Sequence, residues 1–182
     1  REPGSTVIHN LITSKAVPEI IRENGGEPVR TRVGHSFIKA KMAETNAVFG
    51  GEHSAHYYFR DFWRADSGML AAMHVLAALG QQDKPLSEMM AKYNRYAASG
   101  EINSRLDSAE AQADRTEAVV KAFADRAENV DRLDGVTVEL KDGNWFNVRA
   151  SNTEPLLRLN VEADTQEAVD ALVKEILAII RA

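Results

Sequence analysis

A change of pattern near residue 100 constrains this chain more than any other feature. Up to about residue 80, short apolar or β-branched runs alternate with helical segments. Residues 6–12 (TVIHNLI) read as a buried strand, and 14–24 as a helix stopped by Gly25 and Gly26. Residues 28–33 read as a second strand, and a helix opens at Gly34 with Phe37, Ile38 and Met42 at helical spacing. Residues 47–50 give a third strand that runs into Gly51; a polar, aromatic loop follows, then a helix from about Ser67 to Leu79. Such alternation implies a sheet with parallel strands and covering helices, because parallel strands need a crossover between them. Ligands then bind beyond the C-terminal strand ends. Gly34 with His35, and Gly51 with Glu52, both follow strands.

Residues 81–100 hold a short helix between Gly80 and Gly100 and read as a helical linker, with those two glycines as candidate hinges. Beyond it the pattern is strand, helix, three strands, helix. Residues 101–106 suit a strand. Asp114 and Glu117 form a capping-box pattern ahead of Val119, Val120 and Phe123, and Asp164 and Glu167 repeat it ahead of Val169, Leu172, Val173 and Ile176. Between them Val136, Val138 and Leu140 alternate, Asp142 and Gly143 suggest a two-residue hairpin turn, and the chain returns through Phe146 and Val148. A third strand carries Leu157, Leu159 and Val161. The expected organisation is an α/β layer with a mixed sheet over 1–80, a linker over 81–100, and an α+β domain over 101–182. That last domain is an antiparallel sheet with two helices on one face.

Composition narrows the partners. The chain has 182 residues, 44% of them apolar, and a net charge of −5, which argues against nucleic acid or an anionic membrane as partner. It has no cysteine, which excludes disulfides and thiolate chemistry and accords with a cytoplasmic location. It has no run of about 20 apolar residues, the length of a membrane-spanning helix. Starting at Arg1 without methionine, it reads as a piece of a longer protein.

The stretch RASNTEPLLR, residues 149–158, sets an arginine on each side of a turn rich in donors. With Phe146, Val148, Leu157 and Leu159 facing the core, Arg149 and Arg158 point to the other face near one end of the sheet. Ser151, Asn152 and Thr153 add hydroxyls, an amide and backbone N–H groups. From the residues alone this is either an anion nest or a polar turn with two solvated arginines.

RASNTEP resembles the phosphate-binding loop of the phosphohexomutases, the phosphomannomutases and phosphoglucomutases. GEHSAH at 51–56 is similar to their sugar-binding loop, usually glycine-glutamate-x-serine-glycine-histidine, and VGHSFIKAKM at 33–42 resembles the segment before it. The motifs come in family order across the chain. The resemblance covers most of the third and all of the fourth of four domains. No segment resembles the family's phosphoserine loop or its aspartate-rich magnesium loop.

What the resemblance implies is interconversion of hexose 1-phosphate and hexose 6-phosphate, mannose or glucose, through a phosphoserine and a hexose bisphosphate intermediate. Mg2+ and the phosphoserine would belong to N-terminal domains of the same protein, so this chain would be inactive alone. Arg149, Ser151, Asn152 and Thr153 match the clamp on the non-reacting phosphate, and Arg158 joins them on geometry. Glu52, Ser54 and His56 match the sugar-binding residues. His35 and His56 would line the cleft and assist. A metal site at Glu52, His53 and His56 is disfavoured, because the segment is a glycine-led loop rather than a helix with the His-Glu-x-x-His pattern. His53 is read as structural. Ala55 departs from the family glycine, and the first strand lacks a lysine that some members carry. Other readings are a phosphoglucosamine mutase fragment and a non-catalytic phosphosugar-binding module.

Overall fold

The structure, a computed structural model, describes residues 2–151 and 154–182. The chain divides into two compact units, residues 1–95 and 96–182.

The first unit is built on a five-stranded sheet of order β2-β1-β3-β4-β5: β1 (Thr6–Asn10), β2 (Glu27–Thr31), β3 (Phe49–Gly51), β4 (Tyr57–Phe59) and β5 (Ala65–Asp66). Strand β1 lies between β2 and β3 and pairs in parallel with both; β3, β4 and β5 are antiparallel. The stretch expected to be a polar, aromatic loop therefore contains two strands. Tyr57, Tyr58 and Phe59 are strong strand formers, and Tyr58 is among the most buried residues of the core, with Ile8, Ile38, Met42 and Ala47. Helices α1 (Ala16–Glu23), α2 (His35–Thr45), α3 (Gly68–Gly80) and α4 (Leu86–Ala91) complete the unit. At Gly50 an added Cβ would lie 2.8 Å from Ile38 Cγ2 and 3.2 Å from Met42 Sδ, so glycine lets α2 sit close on β3. Helix α3 is apolar yet has no buried residue, and a groove of about 1240 Å³ opens beside it, lined by Val7, Ile20, Phe49, Phe59 and Val75. Arg95 hydrogen-bonds Glu19 and Glu23 of α1. The segment after α4, expected to be linker, is thereby tied into the first unit.

The second unit is an antiparallel sheet of order β6-β11-β10-β9-β8, with β7 also pairing β11. Its strands are β6 (Ala97–Ala98), β7 (Ile102–Arg105), β8 (Ala127–Asp131), β9 (Val136–Leu140), β10 (Trp145–Ala150) and β11 (Leu156–Ala163). Helices α5 (Ala109–Phe123) and α6 (Gln166–Ile180) share one core with the sheet: Val119, Phe123, Leu172 and Ile176 meet Val138, Phe146, Val148 and Leu159.

Three local expectations change. Helix α5 begins at Ser108, whose hydroxyl accepts from Ala111 N at 3.0 Å, well before Asp114. Ala109, Ala111 and Ala113 have the highest helix propensity and carry the helix back to that cap. Helix α6 is likewise capped by Thr165 rather than Asp164. Strand β8 was not expected, because it is polar, mostly exposed and interrupted by an irregularity between Ala127 and Asn129.

Candidate functional site

The first group of candidate residues gathers where β3 ends. Glu52 N donates to His56 O at 2.9 Å and Ala55 N to Glu52 O at 3.1 Å, closing a tight turn. Ala55 takes φ 65°, a left-handed conformation that suits the glycine it replaces. The Glu52 side chain, 6% exposed, is held at both oxygens. Oε1 accepts from Gly34 N and Oε2 from the Tyr58 hydroxyl, each at 2.9 Å. Glu52 thus bolts the turn to the start of α2, where Gly34 is an N-cap residue with no side-chain hydrogen bond and φ 131°. Each carboxylate oxygen keeps a second lone pair for a ligand hydroxyl. Burial, then the contact with Glu52, pushes the Tyr58 phenol well above the ordinary range.

Behind the turn, His56 Nδ1 lies 2.6 Å from Asp66 Oδ2, and Asp66 Oδ1 accepts from Tyr57 N at 2.9 Å. The hydrogen bond to Asp66 raises the His56 pKa above its ordinary value, against a smaller loss of hydration. Burial opposes ionisation of Asp66, but the bonds from His56 and the Tyr57 amide outweigh it and lower its pKa. A cavity of about 470 Å³ is lined by His35, Glu52, Ser54 and His56, together with Lys39, Tyr58 and Asp66. The four site residues expected of this unit are therefore brought together, and His53 is exposed outside that lining. Lys39, Tyr58 and Asp66 were missed. Lys39 falls one helical turn after His35, a signal that was available; Tyr58 and Asp66 required β4 and β5 to be known. Among the described residues no group of three or more histidine or acidic side chains is placed to hold a metal ion.

The second group lies in β10, β11 and the turn between them. Arg149 and Arg158 are direct cross-strand partners. Arg158 Nη2 lies 3.3 Å from Ser151 Oγ, and the guanidinium is 3.4 Å from Glu101 and 3.6 Å from Glu154. The Nε atoms of both arginines are buried without a hydrogen-bond partner among the described residues. Ser151 N donates to Leu156 O at 2.8 Å, anchoring the start of the turn. Asn152 and Thr153 lie outside the described residues. Arg149 is 6% exposed, which does not fit the alternative of a turn with two solvated arginines. The face of the sheet turned from the helices is itself closed and polar. Asn147 Nδ2 donates to Val136 O and Thr137 Oγ1, and Trp145 Nε1 to Glu162 Oε1. Like charges directly opposite one another destabilise a sheet. A cross-strand arginine pair, with Arg149 buried and each Nε unanswered among the described residues, is a place where a phosphate or carboxylate would be stabilised.

Two family descriptions match the chain: "Phosphoglucomutase/phosphomannomutase, alpha/beta/alpha domain III" over residues 1–96, and the C-terminal domain of the same proteins over 101–179. The chain belongs to the phosphoglucomutase/phosphomannomutase family. It is 41% identical to a phosphomannomutase of Methanocaldococcus jannaschii over 97% of its length, and 38% identical to one of Escherichia coli over 100%. A crystal structure of a phosphoglucomutase/phosphomannomutase family protein from Burkholderia thailandensis superposes with a TM-score of 0.80 and 30% identity, covering 98% of this chain. The chain spans only 38–39% of the length of these relatives.

Proposed function

We propose that this chain is the sugar- and distal-phosphate-binding part of a phosphohexomutase. The whole protein would interconvert hexose 1-phosphate and hexose 6-phosphate, with mannose or glucose as the hexose, through a phosphoserine and a hexose bisphosphate. The observation that carries this reading is the cross-strand pair of buried Arg149 and partly exposed Arg158, beside a turn anchored by Ser151. Their forks suit a phosphate held by two guanidiniums. Glu52 and Ser54 would hold sugar hydroxyls, with His35 and His56 beside them.

Two fixed cations can grip whichever phosphate is not reacting, which is what a reaction at both ends of one sugar demands. The protein's contribution to phosphoryl transfer is mostly positioning and charge stabilisation, so these binding groups belong to the mechanism. The described residues offer no metal ligand set. The family resemblance assigns Mg2+, with the phosphoserine, to other domains of the same protein, so this chain alone should be inactive.

The test is calorimetric titration of mannose 1-phosphate into the chain and its Arg149→Lys variant. Loss of the bidentate fork with charge retained should weaken binding about tenfold, the worth of a charge-assisted hydrogen bond. Unchanged affinity, with the fold intact by circular dichroism, removes these arginines from the phosphate site.

A further inference from the structure

The cavity at the end of β3 contains one pairing that the proposed binding roles do not use. Asp66 ends β5, ten residues after His56, and its carboxylate is fixed from two sides. One oxygen takes the Tyr57 amide of β4, and the other faces His56 Nδ1 at 2.6 Å. An imidazole with Nδ1 so engaged has one nitrogen left to offer, Nε2. His56 is half exposed in this cavity, so Nε2 has room for a ligand.

We propose that Asp66 is a positioning residue that fixes the tautomer and orientation of His56, so that Nε2 is presented to a phosphosugar oxygen. This rests on the phosphosugar reading above. Below the His56 pKa, Nε2–H donates to the ligand as part of an imidazolium. Above it, the proton that remains stays on Nδ1 against Asp66, and Nε2 becomes an acceptor. The other groups facing this ring are Glu52 from the turn, whose charge also favours the imidazolium, Tyr58 from β4, and His35 and Lys39 from α2. Asp66 is the only one of these with a hydrogen bond to the His56 ring among the described residues. It therefore sets the pH at which the donor is lost.

The experiment is a nitrogen-resolved NMR titration of the histidine rings in the 182-residue chain, with and without mannose 1-phosphate, for wild type, Asp66→Asn and Asp66→Glu. In wild type the neutral ring should carry its proton on Nδ1. Mannose 1-phosphate affinity should decline with rising pH through the His56 midpoint. In Asp66→Asn that midpoint and the decline in affinity should both move to lower pH, the tautomers should mix, and affinity at neutral pH should fall about tenfold. Asp66→Glu should restore part of the shift. Unchanged midpoint and tautomer in Asp66→Asn overturn the proposal. So does a changed midpoint with an unchanged pH profile of binding, which marks a merely structural contact. If wild type binds no mannose 1-phosphate at any pH, the phosphosugar reading fails and the ligand half of this proposal with it. The tautomer record still decides whether Asp66 orients His56.

Discussion

The hairpin β3–β4 in the first unit and the hairpin β9–β10 in the second turn through the same hydrogen bonds. Glu52 N donates to His56 O and Ala55 N to Glu52 O; Leu140 N donates to Asn144 O and Gly143 N to Leu140 O. Both put the third turn residue in the left-handed region, φ 65° at Ala55 and 85° at Gly143. The backbone solution is one, and the residues chosen for it differ. The second unit's turn takes glycine there and sets Leu140 into the core at its base. The first unit's turn takes alanine and sets a buried carboxylate at the same position. The contrast extends along each unit. Among the described residues, every non-glycine with positive φ lies in the first unit: Asn46, Ala55, Trp63 and Arg64. Three of these four lie just before β4 or β5, the strands that follow His56 and end in Asp66. Where a turn only has to close a sheet, the least strained residue is used; where it presents a candidate site, strain and buried polar groups are tolerated.

That comparison is sharpened most by pH. All five histidines are in the first unit. His9 is 6% exposed in β1, with Nδ1 against Asn10 O and Thr13 Oγ1, and burial is the main cause that pushes its pKa down to about 4. Its folded pKa lies below its unfolded value of 6.5, so the unfolded chain binds more protons between the two. The stability linked to His9 is present above about pH 6.5 and is lost as pH falls toward 4, on the order of 3 kcal/mol in all. Hydrogen exchange of the intact chain should show β1 and β3 amides losing protection across that window more steeply than β10 and β11 amides. A His9→Asn variant should flatten the difference. Equal slopes in both units would break the contrast.

Next in size is the base of the site turn. Glu52→Ala removes the acceptor for Gly34 N and the Tyr58 hydroxyl, leaving two donors in a closed place. A loss of about 2–3 kcal/mol is expected in the first unit, read from the same exchange protection or from chemical denaturation. Ser54→Ala, exposed on the same turn, should change stability by less than about 0.5 kcal/mol. If both variants are equally stable, Glu52 serves a ligand only and not the fold. Smaller again is Gly143→Ala, which asks an L-residue to adopt φ 85°. A loss of about 1–2 kcal/mol confined to the second unit is expected from denaturation midpoints.

Much of this was legible in the sequence. The change of pattern near residue 100 gave the two kinds of sheet, and the alternation of apolar residues around Arg149 and Arg158 put both arginines on the same face near one end of the sheet. Glu52, Ser54, His35 and His56 were placed by two glycine-led motifs. What was missed depended on contacts rather than pattern. Strands β4, β5 and β6 are only two or three residues long, too short for any periodicity to declare itself. Without β5, Asp66 had no register and could not be set beside His56. The turn at Asp142 and Gly143 was read as two residues because the dipeptide suits that turn. The bond from Leu140 N to Asn144 O makes it three, with glycine in the last position. Burial of Arg149 was invisible because an alternating strand specifies which face a side chain takes and not whether that face is covered.

Ala55 is the sharpest point of the comparison, since there the two turns differ by one methyl group under the same hydrogen bonds. An L-residue in the left-handed region costs about 1–2 kcal/mol relative to its preferred conformations, and glycine escapes most of that while losing more freedom on folding. Ala55→Gly should therefore stabilise the first unit by a net of about 0.5–1 kcal/mol, a small gain that denaturation of the whole chain can resolve. The same substitution gives the segment between Glu52 and His56 more conformations when no ligand is bound. Ser54 and His56 should then show lower NMR order parameters, and mannose 1-phosphate should bind a few-fold more weakly because more motion is stopped on binding. A gain in stability with a loss of affinity would mean that the alanine holds the turn ready at the expense of stability. If Ala55→Gly instead destabilises the unit, the left-handed conformation is not strained in this setting. The two turns would then differ only in what stands at their base, a leucine in one and a glutamate in the other.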